Sequence, residues 1–194
     1  MAKARTINTG MNEVILHPTE TVYGLGCDAR DAVALEKIFA IKGRDASKSV
    51  GVIAADVEMV ERTVVLSSAA REIAMRYWPG ALAIVAPVRA EAGLAPLAIA
   101  ADGTVAIRVS ASIIAHELSV RLGAPLVSTS ANRAGEPACA SVAAVRAQLG
   151  EAFAQIDEVI DIGELPPTAP STIIRVHEDG RIEVVRQGAI TLDV

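Results

Sequence analysis

The stretch "STIIRVHEDGRIEVVRQG", residues 171–188, decides the fold class. Two apolar runs flank Asp179-Gly180, a dipeptide suited to a tight turn, so the stretch reads as a β-hairpin. A hairpin pairs its strands antiparallel, which a regular series of βαβ units never does. Upstream, strands and helices alternate. "EVIDIG" (158–163), "APLVSTSAN" (124–132), "TVAIRV" (104–109), "ALAIVAPV" (81–88), "SVGVIAA" (49–55) and "NEVIL" (12–16) read as strands. "RDAVALEKIFAIK" (30–42) reads as a helix, with Asp31 as N-cap and Val33, Leu35, Ile38, Phe39 and Ile41 as its apolar face. Further helices are expected over residues 56–65, 68–77 and 111–122, the last ended by Gly123. Another is capped by Ser141 and Gly150. "HPTETVYGLGCDA" (17–29), rich in Pro, Gly and Thr, reads as a loop with extended parts. The expected fold is α/β: a twisted, mixed parallel and antiparallel sheet with flanking helices. No linker is visible, so residues 1–194 read as one domain.

Composition narrows the function. With 18 basic and 23 acidic residues the chain is acidic, which argues against a protein whose main job is coating nucleic acid. Aromatics make up 3%, too few for a base-stacking surface. Cys27 and Cys139 are far apart, which excludes a disulfide framework and the common zinc patterns. The most apolar region, 81–101, is broken by Pro87, Arg89, Glu91, Gly93 and Pro96, so no membrane span is expected. No signal peptide is read at the N-terminus, and a cytoplasmic protein is expected.

Four stretches carry candidate chemistry. "YGLGCDA" (23–29) satisfies the glycine spacing of a dinucleotide site, but "PTET" intervenes where a strand should run into the first glycine. Glycines of a tight turn are the expectation there. "IKGRDASKSV" (41–50) gathers Lys42, Arg44 and Lys48 in an acidic chain. Lys42 and Arg44 diverge by about 200° on a helix and share a face only in an extended chain, which Gly43 favours. "STSAN" (128–132) would line up Ser128, Ser130 and Asn132 on one face if extended; an N-cap or Asx-turn is the alternative. Arg108 lies inside an apolar strand, so it either pairs with an internal carboxylate or meets an anionic ligand. Arg186 poses the same question at a strand end, where solvent is the simpler answer. His17, His116 and His177 show no metal spacing, and a Cys27–His17 nucleophile pair lacks an orienting acid.

Seven stretches, "PTETVYGLG", "IFAIKGR", "WPG", "VAIRV", "STSAN", "PSTII" and "VVRQG", occur in the order found in the YrdC-type threonylcarbamoyl-AMP synthases. The chain resembles the short, single-domain bacterial form over residues 13–189. The resemblance implies a sheet with a large concave face. It also implies an enzyme that turns L-threonine, bicarbonate and ATP into threonylcarbamoyl-AMP and pyrophosphate, with Mg²⁺, for modification of tRNA by downstream proteins. The family's Lys-x-Arg and Ser-x-Asn signature stands here as Lys42, Arg44, Ser130 and Asn132. By resemblance Arg44, Lys48, Thr104, Ser130, Asn132 and Arg186 face ATP. Thr19, Arg108, Ser128 and Ser171 correspond to the threonine pocket, and Tyr23 lies near where bicarbonate comes in. No metal-ligating side chain is identified.

The chain departs from the pattern at Asp45, where proline is usual, at Ser47, Lys48 and Ser49, at Ile53, in "WPGALA", and in "RVSAS", which lacks the usual Pro and His. Ser112 belongs to that last stretch. These changes leave the ATP motif whole and bear on amino-acid selectivity. Two alternatives stand beside the synthase: a non-catalytic relative holding double-stranded RNA or tRNA, and a carbamoyl-adenylating enzyme of the hydrogenase-maturation type.

Overall fold

The structure is a computed structural model that describes residue 10, residues 12–45 and residues 49–192. The C-terminal hairpin forms as read, with β8 (Thr172–Val176) antiparallel to β9 (Ile182–Arg186). It closes one edge of a sheet that also contains β1 (Ile15–Pro18), β2 (Tyr23–Asp28), β3 (Gly51–Ala54), β4 (Leu82–Pro87), β5 (Thr104–Val109), β6 (Leu126–Ser130) and β7 (Glu158–Val159). Among the described residues the strand order is β7-β1-β2-β6-β3-β5-β4-β8-β9. Three neighbouring pairs, β1–β7, β3–β5 and β4–β8, are parallel and the rest antiparallel, so the sheet is mixed.

The glycine-rich stretch corrects one expectation. Residues 23–28 are not a turn but an interior strand, and His17 and Pro18 complete the strand before it. Gly24 and Gly26 serve close approach instead. A Cβ on Gly26 would lie 2.8 Å from the Val127 carbonyl and 3.0 Å from His17 Nε2; one on Gly24 would lie 3.1 Å from Ser128 Oγ. The "NEVIL" strand starts later than read, at Ile15.

Five helices flank the sheet: α1 (Ala32–Lys42), α2 (Val57–Thr63), α3 (Ser68–Tyr77), α4 (Ile113–Leu122) and α5 (Val142–Leu149). Asp31 caps α1 by accepting from the Ala34 N–H at 3.0 Å. The apolar stripe of α1 is Ala34, Leu35, Ile38, Phe39 and Ile41. Val33, two residues from Leu35 and so across the helix from it, is exposed. Strand alternation sorts the sheet's two faces. Tyr23, Leu25, Cys27, Val52, Ala54, Val105 and Ile107 enter the main core with α1. Truncating the fully buried Leu35 or Ile38 there to alanine would cost about 2–5 kcal/mol. On the other face α4 covers Ile15, Ile53 and Leu126 through Ala115 and Leu118, and the rest of that face stays open. Among the described residues no helix is long and apolar enough to cross a membrane.

Candidate active site

The open face holds a cavity of about 160 Å³. Its floor uses small residues from four strands, Gly24, Gly51, Ala83 and Ala106, placed by the same alternation that buries their neighbours. Around them stand Thr19, Arg44, Arg108, Ser128, Ser130, Ser171 and Arg186. Residues expected from widely separated motifs are thus gathered at one place. Sheet register does much of this. Gly24 opposes Ser130 and Gly26 opposes Ser128, while Ile173 on β8 opposes Arg186 on β9.

Arg108 resolves its two options by taking both. It is 6% exposed, and its Nη1 donates to the Glu20 carboxylate and, at 3.2 Å, to the Gly80 carbonyl. Among the described residues no protein acceptor engages its Nε or Nη2, and Arg108 borders the cavity. The other Glu20 oxygen accepts from Ser110 Oγ at 2.6 Å. Burial alone would raise the Glu20 pKa. Arg108 and the Ser110 hydrogen bond outweigh burial, so the net shift is downward and Glu20 is ionised at neutral pH. Glu20 was not anticipated as a partner. The signal was present: an acid between two threonines in "PTET" and an arginine in an apolar strand, each in need of the other.

Lys42 departs from expectation. The chain at 42–44 is not extended: Lys42 ends α1 and Gly43 is a left-handed cap with φ +57°. The two cations therefore part company. Arg44 donates from Nη2 to the Ser49 carbonyl at 2.6 Å and borders the cavity. Lys42 is 2% exposed and points the other way, its Nζ donating to the carbonyls of Ser130 and, at 2.8 Å, Asn132, with Asn132 Oδ1 at 3.4 Å. The Lys42 carbonyl in turn accepts from the Ala134 N–H at 2.9 Å. Burial, then the nearby charge of Arg44, lowers the Lys42 pKa to about 8.

Asn132 is likewise a turn organiser. Its Nδ2 donates to the carbonyls of Arg133 and Glu136, both at 2.7 Å, and it does not border the cavity. The extended row of three polar residues therefore ends at Ser130, where β6 ends. Each signature motif is split, with Arg44 and Ser130 toward the cavity and Lys42 and Asn132 holding the turn behind it.

Two other expected residues lie elsewhere. Thr104 donates from Oγ1 to Asp102 at 2.6 Å, away from the cavity lining. Tyr23 points to the opposite face of β2 from Gly24, and its hydroxyl bonds the Gly163 carbonyl at 2.8 Å and the Ile162 N–H at 3.1 Å. That geometry makes it an anchor for residues 161–163 rather than a wall of the cavity. Lys48 lies outside the described residues. Arg186, exposed at the rim, fixes its head by donating from Nε and Nη2 to the Ser171 carbonyl at 3.1 and 2.6 Å. Its pKa is lowered by desolvation, then by the charges of Arg108 and Arg44.

Cys27 and His17 sit on opposite faces of the sheet, and burial pushes the Cys27 thiol pKa up, so they form no nucleophile pair. His17 is fully buried and its pKa falls to about 4, chiefly by desolvation. Its Nε2 has no hydrogen-bond partner among the described residues.

A family model described as telomere recombination and named for Sua5, YciO and YrdC matches residues 8–188. The chain belongs to the Sua5/YciO/YrdC family. It is 41% identical over 174 residues to the threonylcarbamoyl-AMP synthase of Xanthomonas euvesicatoria, covering 87% of this chain and 89% of that protein. Among solved structures it resembles Sua5 of P. abyssi complexed with L-threonine, with a TM-score of 0.82 and 31% identity. That match covers 91% of this chain and 51% of the Sua5 chain, so this chain spans about half of that relative's length. E. coli YciO superposes with a TM-score of 0.80 at 25% identity, covering 93% of this chain and 85% of that one. The mixed, open sheet with flanking helices is thus the Sua5/YciO/YrdC fold.

Proposed function

We propose that this chain is an L-threonylcarbamoyladenylate synthase, making threonylcarbamoyl-AMP and pyrophosphate from L-threonine, bicarbonate and ATP. The observation that carries the reading is the convergence, in one cavity, of two sets of groups. One set is Arg44 and Arg186 with the Ser130 hydroxyl, suited to polyphosphate. The other is Arg108 with one edge open, flanked by Thr19, Ser128 and Ser171, suited to a small hydroxylated amino acid. A family relative binds L-threonine, and the curated relatives bear the synthase name.

The chemistry asks little else of the protein. Condensation of the threonine amine with bicarbonate gives N-carboxythreonine and water. A carboxylate oxygen of that anion attacks the α-phosphorus of ATP, and the bond to pyrophosphate breaks. No protein nucleophile is required. Arg44 and Arg186 offset the charge that develops on the leaving pyrophosphate. Arg108 holds the amino-acid carboxylate through two parallel hydrogen bonds. Enclosure on the sheet keeps both reactants aligned and a labile intermediate from bulk water. Among the described residues no group of three His, Cys, Asp or Glu side chains is placed to hold a metal ion. Mg²⁺ suits the triphosphate's own oxygens and water, would enter with the nucleotide, and would supply further charge neutralisation. The labile adenylate then passes to partner proteins that modify tRNA.

The test is pyrophosphate release from ATP, assayed with threonine, serine or alanine and with or without bicarbonate. Release is expected only when threonine and bicarbonate are both present. Equal release with alanine would overturn the substrate assignment.

A further inference from the structure

On the function proposed above, one small cavity must hold two different anions at once, a triphosphate and an amino-acid carboxylate. It offers three guanidinium groups, from Arg44, Arg108 and Arg186, close enough that the first two depress the pKa of the third. A polyphosphate carries several charges and would be drawn to any unopposed arginine, including the one the amino acid needs. Something must sort the two ligands.

Arg108 and Arg186 differ in what fixes each guanidinium. Arg186 is fixed by a neutral carbonyl, that of Ser171. Arg108 is fixed by the carboxylate of Glu20, which Ser110 holds in turn at 2.6 Å. The contact is one-sided: Nη1 goes to Glu20 and the Gly80 carbonyl, while Nε and Nη2 keep no acceptor among the described residues. The pair carries no net charge, although its guanidinium end still acts on Arg186, and it presents two parallel N–H donors at contact range.

We propose that Glu20 is a specificity-determining residue that sorts the two anions. By cancelling the charge of Arg108 it reserves that arginine for the carboxylate of a zwitterionic amino acid and turns polyphosphate toward Arg44 and Arg186. A carboxylate gains from the two hydrogen bonds without needing net charge. A polyphosphate gains little from a neutral pair and is repelled by the Glu20 oxygens.

The experiment is calorimetric titration of the folded protein with L-threonine and with inorganic pyrophosphate, separately and together. In the unaltered protein pyrophosphate should leave the threonine Kd within about twofold, because the two occupy different arginines. In Glu20→Gln the affinity for pyrophosphate should rise by about tenfold or more, and threonine should become competitive with it. Glu20→Asp, which keeps the charge, should retain the discrimination. Displacement of threonine by pyrophosphate from the unaltered protein would overturn the proposal, and that arm stands even if Glu20→Gln does not fold. So would a folded Glu20→Gln that binds pyrophosphate as the unaltered protein does while losing threonine, because Glu20 would then only orient Arg108. Failure of the unaltered protein to bind threonine at all would count against the function proposed above. Sorting would then be judged on the change in pyrophosphate affinity alone.

Discussion

Arg108 and Lys42 are both buried cations, 6% and 2% exposed, and they answer the cost of burial in opposite ways. Arg108 takes a full countercharge from Glu20 on one edge and keeps the other edge for the cavity. Lys42 has oxygen dipoles instead, two carbonyls and a side-chain amide, and its three N–H groups all face protein. A planar five-donor fork can be divided between scaffold and ligand; a compact ammonium already bonded on three sides cannot. So two residues that look alike in sequence, each a cation within a motif, are placed differently: one turns an open edge to the cavity, the other holds the turn that presents Ser130.

The hardest blow to this contrast is Arg108→Met. It strands Glu20 in a partly buried site and should cost about 3–5 kcal/mol in urea unfolding. Turnover should fall by about 10²–10³, read as pyrophosphate release. Retention of wild-type threonine saturation in this variant would show that the open edge is not used. Next is Lys42→Met, which takes the Nζ donor from the Asn132 carbonyl and leaves the Ser130 carbonyl only the Asn132 N–H, and should cost about 2 kcal/mol. Turnover should drop about 10–100-fold through misplacement of Ser130. Because the effect runs through Ser130, Lys42→Met combined with Ser130→Ala should be little worse than Ser130→Ala alone. Additive losses would mean that Lys42 acts on substrate directly.

A pH profile separates the two cations without mutation. Lys42, with its pKa at about 8, loses a proton as pH rises through that value, leaving two N–H groups for three oxygens, so turnover should decline on that limb. Stability moves the other way. The unfolded lysine holds its proton to about 10.5, so between the two values the unfolded chain binds more protons and the linked term favours folding as pH rises. Arg108 stays charged throughout and contributes no such limb.

Reading the sequence found the framework and misjudged several directions. The hairpin, the α1 cap at Asp31 and the strands carrying Arg108 and Ser130 were legible because turn chemistry, capping and apolar runs are local. The strand at 23–28 was not, since its glycines are explained only by His17 on β1 and Val127 on β6. The same holds for Lys42: spacing along the chain cannot reveal acceptors at Ser130 and Asn132. Tyr23 was placed near the chemistry by its neighbours in the motif, yet alternation in β2 sends its side chain to the other face. Glu20 was quoted within a motif and passed over, because an ion pair between residues 20 and 108 leaves no periodic trace.

His17 is a third buried nitrogen base. His17 has neither a countercharge of its own nor an acceptor at Nε2, and it answers burial by staying neutral. Its folded pKa of about 4 lies below the ordinary 6.5, so the unfolded chain binds more protons in that window and stability falls as pH drops through it. The loss between pH 7 and 4 should amount to about 3 kcal/mol. His17→Gln should flatten the urea midpoint over the upper half of that range, where carboxylates do not yet titrate. An unchanged slope would place the acid sensitivity elsewhere.

The cavity draws on residues from Thr19 to Arg186, set on strands that span most of the sheet, and its last wall comes from the hairpin at the edge. Such pairings close long loops and form late when a chain folds. On the function proposed above, affinity for the nucleotide is therefore a property of the finished sheet. A folding intermediate that has built the α1 core but not yet docked β9 holds no complete site, so ATP added during refolding should stabilise only the final step.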